Sequence, residues 1–275
     1  MSLITISHSI GSGGIAIAQQ VAKRLDLELF DDQRLQNEAV QMGIRPEDLK
    51  LLDEKAPGLL DRLLSRRPQL YLDLMEALIY KVANRGSGVI FGHASHFFLR
   101  DFNCAMHVRV LASFETRLER LMSEKKLGEK SARKILRKHA DEIEGYLKYA
   151  FKIDRGSPYN FDLVINTDKM TIDLAVELIV ASAQTEIYRV CSDSAMSTMA
   201  QLSLSKKIQA ELLRHNINRN FLHIEISEPG IVSVRGFPKD EAEQARIIDI
   251  IQSEPGVTEV HSEFGIAPIH GIFTT

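Results

Sequence analysis

The sequence predicts an α/β fold with a doubly wound parallel sheet, followed by a small α+β unit. Short apolar runs alternate with amphipathic helical stretches from residue 1 to about residue 188. This alternation is typical of a parallel sheet that is covered by helices on both faces. A polar, Ser-rich stretch then interrupts the pattern, and the remaining residues follow the order helix, strand, strand, helix, strand (α-β-β-α-β).

Length and composition narrow the class of protein. The 275 residues are enough for two domains, and 44% hydrophobic with 26% charged residues is ordinary for a globular protein. A net charge of −3 gives no general basic field, so a nucleic-acid partner is not expected. We find neither a leader-like start nor an apolar run of about 20 residues, which predicts a cytoplasmic protein without a transmembrane segment. The two distant cysteines are predicted to be reduced thiols.

The chain opens with a strand, a Gly-rich turn and a helix. The run LITIS at residues 3–7 predicts a buried strand, and the helix after GSGG carries Ile17, Val21 and Leu25 at helical spacing. The run LELFDD predicts a second strand that ends in two aspartates. Strand, helix and strand in this order begin a parallel α/β unit.

The following segments continue the alternation. Pro46 marks one helix start, and a longer helix over RPQLYLDLMEALIYKVANRG ends at Gly86. Further strands are predicted at GVIFG, AMHVRVLA and FDLVINT, and further helices at SFETRLERLMSEKK, SARKILRKHADEIEGYLKYAF and TIDLAVELIVASAQTEI. We therefore assign residues 1–188 to the first domain.

A second domain is predicted after a short linker. Residues 189–198 are Ser-rich and weakly patterned, which predicts a linker or a frayed helix end. Residues 199–275 contain an amphipathic helix, two strands joined by a turn at Pro229 and Gly230, a helix with Asp240 as its N-cap, and a third strand. We expect this part to fold on its own.

The Gly-rich turn predicts an anion site. Backbone N–H groups at a helix N-terminus attract phosphate through their dipoles, and the residues Gly11, Ser12, Gly13, Gly14 and Ile15 can form such a nest. A working phosphate-binding loop also has a lysine after the last glycine and then a hydroxyl that binds magnesium. In this chain Gly14 stands at the lysine position, and Ile15 with Ala16 stands where the hydroxyl would be. The loop therefore lacks its side-chain cation.

Residues 3–182 resemble the cytidylate kinase-like branch of the P-loop nucleoside-monophosphate kinases. Five pieces occur in that family's order: ITIS with GSGG, FDDQRL, GVIFGHASHFFLRD, VRVLASFETRLERL and FDLVINTD. The resemblance implies a P-loop kinase fold and ATP-dependent phosphoryl transfer to a nucleoside monophosphate, with ATP and magnesium as cofactors. The expected ligand is thus a nucleotide or another phosphorylated small molecule.

The resemblance also implies roles for individual residues. The loop residues 11–15 would bind nucleotide phosphates, and Asp32, Arg34 and His93 would contact the acceptor. Arg117, Arg120 and Lys138 would be the catalytic cations. The alternative for the basic helices is a solvated surface with i,i+4 ion pairs such as Glu129 with Arg133.

Several family cations are replaced in this chain. The family's loop usually continues with Arg and Glu, where this chain has Ile15 and Ala16. The family has an arginine after its third strand, where this chain has His93, and an arginine on its lid helix, where this chain has Ile143. Phosphoryl transfer depends on charge stabilisation, so we expect weak or lost activity. His8 can donate to phosphate when protonated, and no metal site is expected because His93 and His96 have no apparent third ligand.

Residues 199–267 are similar to a BON domain. The stretch GIVSVRGFPKDEAEQARIIDIIQSEPGVTEV carries that family's Gly and Val pattern. The resemblance implies binding of a lipid, a polymer or a protein, without catalytic residues. Three functions follow. The chain is a kinase-like enzyme with a degenerate loop, or a non-catalytic module that senses a nucleotide or anion and is coupled to the second domain, or a structural protein whose two domains serve as assembly surfaces.

Overall fold

Five parallel strands form the first sheet of the computed structural model, which describes residues 2–49, 68–152, 157–189 and 191–265. The strands are β1 (Leu3–His8), β2 (Leu29–Phe30), β3 (Gly88–Phe91), β4 (Ala105–Leu111) and β5 (Leu163–Asn166). Their order across the sheet is β2-β3-β1-β4-β5, and every pairing is parallel. This arrangement confirms the predicted doubly wound α/β fold.

The central strand β1 is apolar because both of its faces are covered. Leu3, Ile4 and Ile6 are fully buried, and β1 pairs with β3 on one side and β4 on the other. Strands buried on both faces read as continuous apolar runs rather than as alternation. The carboxyl ends of β1, β3 and β4 therefore meet at one edge, where ligands bind in open α/β sheets.

Nine helices accompany this sheet within the described residues. They are α1 (Gly14–Leu25), α2 (Asp32–Gln41), α3 (Pro46–Leu49), α4 (Pro68–Ala83), α5 (Ser95–Phe98), α6 (Phe114–Lys125), α7 (Glu129–Phe151), α8 (Ile172–Ala183) and α9 (Glu186–Arg189). Helices α1 and α8 cover one face of the sheet, and α4, α5 and α7 contribute to the core on the other face. Within the described ranges, none of the chain's helices is long and apolar enough to cross a membrane.

The second unit consists of a three-stranded sheet and two helices. Helix α10 (Asp193–Arg214), strands β6 (Leu222–Glu228) and β7 (Ile231–Gly236), helix α11 (Glu241–Gln252) and strand β8 (Glu259–Phe264) follow in chain order. Strands β6 and β7 are antiparallel, and β7 and β8 are parallel. The predicted α-β-β-α-β order is confirmed.

Helix α10 is longer than the sequence predicts and belongs to both units. It begins at Asp193, inside the predicted linker, because the Ser192 side chain accepts a hydrogen bond from the backbone N–H of Ala195. Met199 and Ala210 lie in the core of the first unit, whereas Ile208 and Leu212 lie in the core of the second. Two apolar stripes on one helix therefore join the two hydrophobic cores.

Polar contacts also join α10 to α4. The Ser203 hydroxyl, which is buried, donates to the backbone carbonyl of Ala77 at 2.7 Å. The Asp73 carboxylate is fully buried and accepts a hydrogen bond from Arg219, with the Lys206 ammonium 4.0 Å away. Burial raises the pKa of Asp73 to about 6, against the lowering effect of the two cations.

A disulfide links Cys104 to Cys191, so the prediction of two reduced thiols is wrong for this structure. Cys104 directly precedes β4, and Cys191 lies between α9 and α10. The two residues are 87 positions apart in sequence, and the fold brings their Cα atoms to 5.0 Å. The bond anchors the start of α10 to the amino-terminal side of the first sheet.

Candidate functional site

The Gly-rich turn between β1 and α1 has a backbone that requires glycine. Gly11 has φ +80°, and a Cβ atom added there would lie 2.7 Å from the carbonyl oxygen of Arg117. Any side chain at this position would therefore clash with the backbone of α6. The Ser12 N–H donates to the Ser9 carbonyl, and the Ser12 hydroxyl donates to the Val110 carbonyl at 3.3 Å. The turn is thus held against the carboxyl end of β4.

Three backbone donors remain at the start of α1. Among the described residues, no acceptor is hydrogen-bonded to the N–H groups of Gly13, Gly14 or Ile15. The first amides of a helix lack intrahelical partners and lie at the positive end of its dipole. These three amides thus have no acceptor among the described residues, and of the three residues Gly14 is buried and Ile15 is exposed.

The space that a side chain at position 14 would enter is occupied by His8. A Cβ atom added to Gly14 would lie 2.5 Å from the Cβ of His8. The His8 ring stacks on Phe91 with 4.4 Å between ring centroids. A lysine at position 14 would therefore require His8 to move away from β3.

A small cavity lies at the carboxyl ends of β1, β3 and β4. Its volume is about 30 Å³, enough for one or two water molecules. It is lined by Ser7, His8, Gly92, Ala94, His96, Arg109, His139, Ile143, Tyr146, Leu147 and Phe161. Four of these residues belong to α7, which covers the cavity on one side. The cavity is too small to hold a nucleotide.

Arg109 is a cavity residue that sequence reasoning missed. Its guanidinium donates to the Ser7 hydroxyl at 2.6 Å, to the Ser9 hydroxyl at 3.1 Å and to the His8 carbonyl at 3.2 Å. It also lies 6.0 Å from the ring centroid of Phe161. The available signal was an arginine inside the otherwise buried strand AMHVRVLA, where a charge needs a partner or a function.

The predicted acceptor residues Asp32 and His93 are brought together. The carboxylate of Asp32 lies 2.7 Å from Nε2 of His93, which is buried directly after β3. Arg34 is bound to other carboxylates, because its guanidinium pairs with Glu28 and lies 2.6 Å from Glu38. The hydrogen bond with Glu28 raises the pKa of Arg34.

The predicted catalytic arginines contact backbone near the loop. Arg120 donates to the Thr167 carbonyl at 2.7 Å and to its hydroxyl at 3.0 Å, and it lies 3.5 Å from the Gly11 carbonyl. Arg117 donates to the Ala112 carbonyl at 3.2 Å, and burial lowers its pKa. Both arginines therefore connect α6 to neighbouring backbone.

Lys138 lies apart from the cavity. Its ammonium is exposed and lies 3.6 Å from the carboxylate of Glu142. It belongs to an open basic surface of α7 that is lined by Lys130, Arg133, Lys134, Arg137, Lys138, Asp141 and Glu142. The structure thus brings together the loop, Arg117 and Arg120, pairs Asp32 with His93, and leaves Lys138 outside this group.

Comparison with known families agrees with this geometry. Residues 3–169 match the model of the cytidylate kinase-like family, which is more than half of the chain. The chain belongs to the cytidylate kinase-like family. Residues 202–268 match the BON domain model, and they contain most of α10 and all of the second sheet. The predicted family relationship is confirmed for both parts.

Individual proteins are similar to this cytidylate kinase-like chain. A protein named cytidylate kinase from Pyrobaculum islandicum is 27% identical over 180 residues, which is 65% of this chain and 90% of the relative. A solved but uncharacterised protein from Eubacterium ventriosum is 18% identical, with a TM-score of 0.49 over 68% of this chain and all of its own. A sugar kinase from a Janibacter species is 15% identical, with a TM-score of 0.44 over 70% of this chain and 99% of its own.

The loop fits a phosphate group better than it fits magnesium. Its amides can donate to phosphate oxygens, but Ile15 and Ala16 offer no side-chain oxygen at the magnesium position. Within the described residues, no three His, Cys, Asp or Glu side chains are grouped to hold a metal ion. His96 stacks on Phe161 at 4.6 Å between ring centroids, so it packs in the cavity wall.

Proposed function

We propose that this cytidylate kinase-like protein binds nucleotides, and that its transfer of phosphate from ATP to a nucleoside monophosphate is weak or lost. The observation that carries the proposal is the loop. Three amides at the start of α1 have no acceptor among the described residues, whereas the lysine position is a glycine beneath His8. The loop offers dipoles to an anion but no ammonium group.

Charge accounting supports weak binding and slow transfer. Each interaction of a charge with a helix terminus is worth about 0.3–1 kcal/mol, far less than a triphosphate with its counterion requires. One missing arginine in this chemistry can reduce the rate by about 10³-fold. Ile15, His93 and Ile143 stand at three positions where the family has cations. We therefore expect turnover well below the ordinary kinase range of roughly 1–100 per second.

Each part of the site has a separate task in this proposal. The amides of residues 13–15 bind phosphate, and Asp32 with His93 contacts the acceptor. Arg120 keeps the loop and the end of β5 together through Gly11 and Thr167. Bound ATP would supply the phosphoryl group, and α7 would have to open and then exclude water from the cleft.

Calorimetric titration with ATP, CMP and CDP, with and without magnesium, tests the binding step. Adenosine and cytidine are the controls, because they lack the phosphates that the loop would bind. Binding of ATP and not of adenosine supports the proposal, and no binding of any phosphorylated ligand contradicts it. A kcat for ATP and CMP within roughly 1–100 per second would show that activity is intact.

Restoring the family's residues gives an independent test. The changes Ile15→Arg, Ala16→Glu, His93→Arg and Ile143→Arg should strengthen ATP binding by returning charge to the cleft. Arg24→Met serves as a control for general charge effects, since Arg24 is exposed on the last turn of α1. Equal affinity in the restored and unmodified proteins would contradict the charge argument.

A second candidate is a non-catalytic module that senses a nucleotide or anion. It is favoured by α10, which packs in both hydrophobic cores and can transmit a change between them. In this case residues 1–188 would bind the anion, residues 189–198 would connect, and residues 199–275 would bind a lipid, polymer or protein in the cytoplasm. Slower hydrogen exchange in β6 and β7 after ATP addition, without turnover, would support this function.

A further inference from the structure

We propose that a groove between the two units binds a small organic acid, a molecule with one carboxylate and an apolar part. The groove lies where the carboxyl-terminal ends of α2 and α4, at Met42 and Lys81, face α10 and the second unit, at Leu204 and Pro229. Its volume is about 600 Å³, which is usual for a small-molecule site, and such sites are common between domains. The proposal is independent of nucleotide binding, because none of the loop residues 11–15 lines this groove.

The apolar residues of the groove come from both units. They are Met42, Ala200, Leu204, Ile226, Pro229 and Pro255. Ile226 belongs to the core of the second unit, and Leu204 packs against that core. A Cβ atom added to Gly256 would lie 3.8 Å from a methyl carbon of Leu204, so this turn approaches α10 closely. The apolar part of a ligand would contact both units and be removed from water, which favours binding.

Contacts made by α10 hold the walls of the groove in place. The Gln201 amide donates to the Ser227 carbonyl at 3.0 Å and attaches the end of β6 to α10. The Lys207 ammonium lies 3.0 Å from the carboxylate of Glu254 and attaches the turn after α11. The Ser203 hydroxyl attaches α10 to α4. Walls that are held in this way exist before a ligand arrives, so binding loses little conformational freedom.

The charged groups of the groove favour an anionic ligand. The Glu38 carboxylate is buried and lies 2.6 Å from two guanidinium groups, those of Arg34 and Arg85. The Lys207 ammonium is paired as described above. Lys81 is exposed on the last turn of α4, and no carboxylate of the described residues pairs with its ammonium. The charge that remains for a ligand is therefore positive.

Amide groups near Lys81 fit a carboxylate. Asn84 follows Lys81 by three positions, so the two side chains lie on the same side of α4, and Gln41 lines the groove from α2. Each side-chain amide carries an NH₂ group that can donate to a carboxylate oxygen. The ligand would thus place its carboxylate at Lys81 and Asn84 and its apolar part against Leu204.

Titration of the whole chain with hexanoate, followed by NMR of isotope-labelled methionine methyl groups, tests the proposal. Met42 lines the groove, and its signal is assigned with Met42→Leu. Met170 packs against the core on the other face of the first sheet and reports general effects. Hexanoate should shift the Met42 signal and leave the Met170 signal unchanged. Hexanol lacks the carboxylate and acetate lacks the apolar part, so each should bind more weakly, by about tenfold or more.

Two matched pairs of variants locate the binding. Lys81→Gln should weaken hexanoate binding by roughly three- to tenfold and leave hexanol binding unchanged, because it removes a partly solvated cation. Lys23→Gln removes an exposed cation of α1 and should change hexanoate affinity by less than about twofold. Ala200→Phe fills part of the groove from an exposed position of α10 and should abolish binding. Ala181→Phe adds the same group on α8 and should not.

Each result decides the proposal. A Met42 signal that hexanoate leaves unchanged overturns it, and so does equal binding of hexanoate and hexanol. Unchanged hexanoate affinity in Lys81→Gln overturns the anion site. If Ala200→Phe does not fold, the exposed change Lys81→Gln and the comparison with hexanol still decide. None of these results affects the proposed nucleotide binding, which the ATP titration tests separately.

Discussion

Changing Asp73 to Asn should alter how the stability of this protein depends on pH. Asp73 is fully buried between α4 and α10, and burial raises its pKa from 3.8 to about 6. A carboxyl whose folded-state pKa is raised contributes stability that is present below its unfolded pKa and lost as pH rises through the folded value. The free energy of unfolding should therefore fall between about pH 3 and pH 7.

The magnitude follows from the two pKa values. The difference between 3.8 and about 6 corresponds to about 3 kcal/mol, at about 1.4 kcal/mol for each pH unit. Asn removes the titration while keeping the size and an acceptor for Arg219. Relative to Asp73→Asn, the unmodified protein should thus lose about 3 kcal/mol of stability from about pH 3 to pH 7.

Urea unfolding at several pH values measures this difference, since each midpoint and slope gives a free energy of unfolding. Asp101→Asn is the matched control, because the Asp101 side chain is 85% exposed. If the unmodified protein instead gains stability over Asp73→Asn as pH rises, the ion pairs with Arg219 and Lys206 outweigh burial. That result would refute the reasoning.

Three further predictions concern the disulfide, the loop and the interface. Cys104→Ser removes the covalent link between residues 87 positions apart. It should lower the free energy of unfolding by about 4 kcal/mol under oxidising conditions, but not in excess reductant. Equal stability of the variant and the unmodified protein under oxidising conditions would contradict this. Gly11→Ala should destabilise the protein by about 1–3 kcal/mol, because the alanine Cβ would clash with the Arg117 carbonyl. Thermal unfolding measures this loss of stability, with Gly43→Ala as the control. Ser203→Ala should cost about 1 kcal/mol by removing the buried hydrogen bond from the Ser203 hydroxyl to the Ala77 carbonyl. A loss no larger than that of Ser197→Ala, on the exposed side of α10, would argue against it.

Local sequence patterns predicted the first sheet, because each strand is an apolar run and each helix has regular apolar spacing. The Gly-rich turn could also be predicted from the sequence, because glycine is the residue that adopts the positive φ found at Gly11 without strain. Ile143, which the resemblance assigns to the lid helix, lines the cavity at the end of the sheet. These features depend on residues that are close together in sequence, or on the spacing of motifs in a known family.

The missed features depend on contacts between distant segments. Arg109 reaches the loop only because Ser7 and Arg109 share a register across β1 and β4. The bond between Cys104 and Cys191 requires the fold to bring two remote segments together. The first turns of α10 have low helix propensity, and the helix forms there because Ser192 caps it and Met199 packs in a core.

Because α10 packs in both hydrophobic cores, the two units should unfold together. Unfolding the second sheet would remove the partner of Ile208 and Leu212, and unfolding the first would expose Met199 and Ala210 on the same helix. Neither unit can lose its structure without raising the free energy of the other. Calorimetry on the whole chain should therefore show a single heat-absorption peak, with the van't Hoff enthalpy close to the calorimetric one. The stabilities of two separately expressed parts would then add up to less than the stability of the whole, and the deficit would measure what the shared helix contributes.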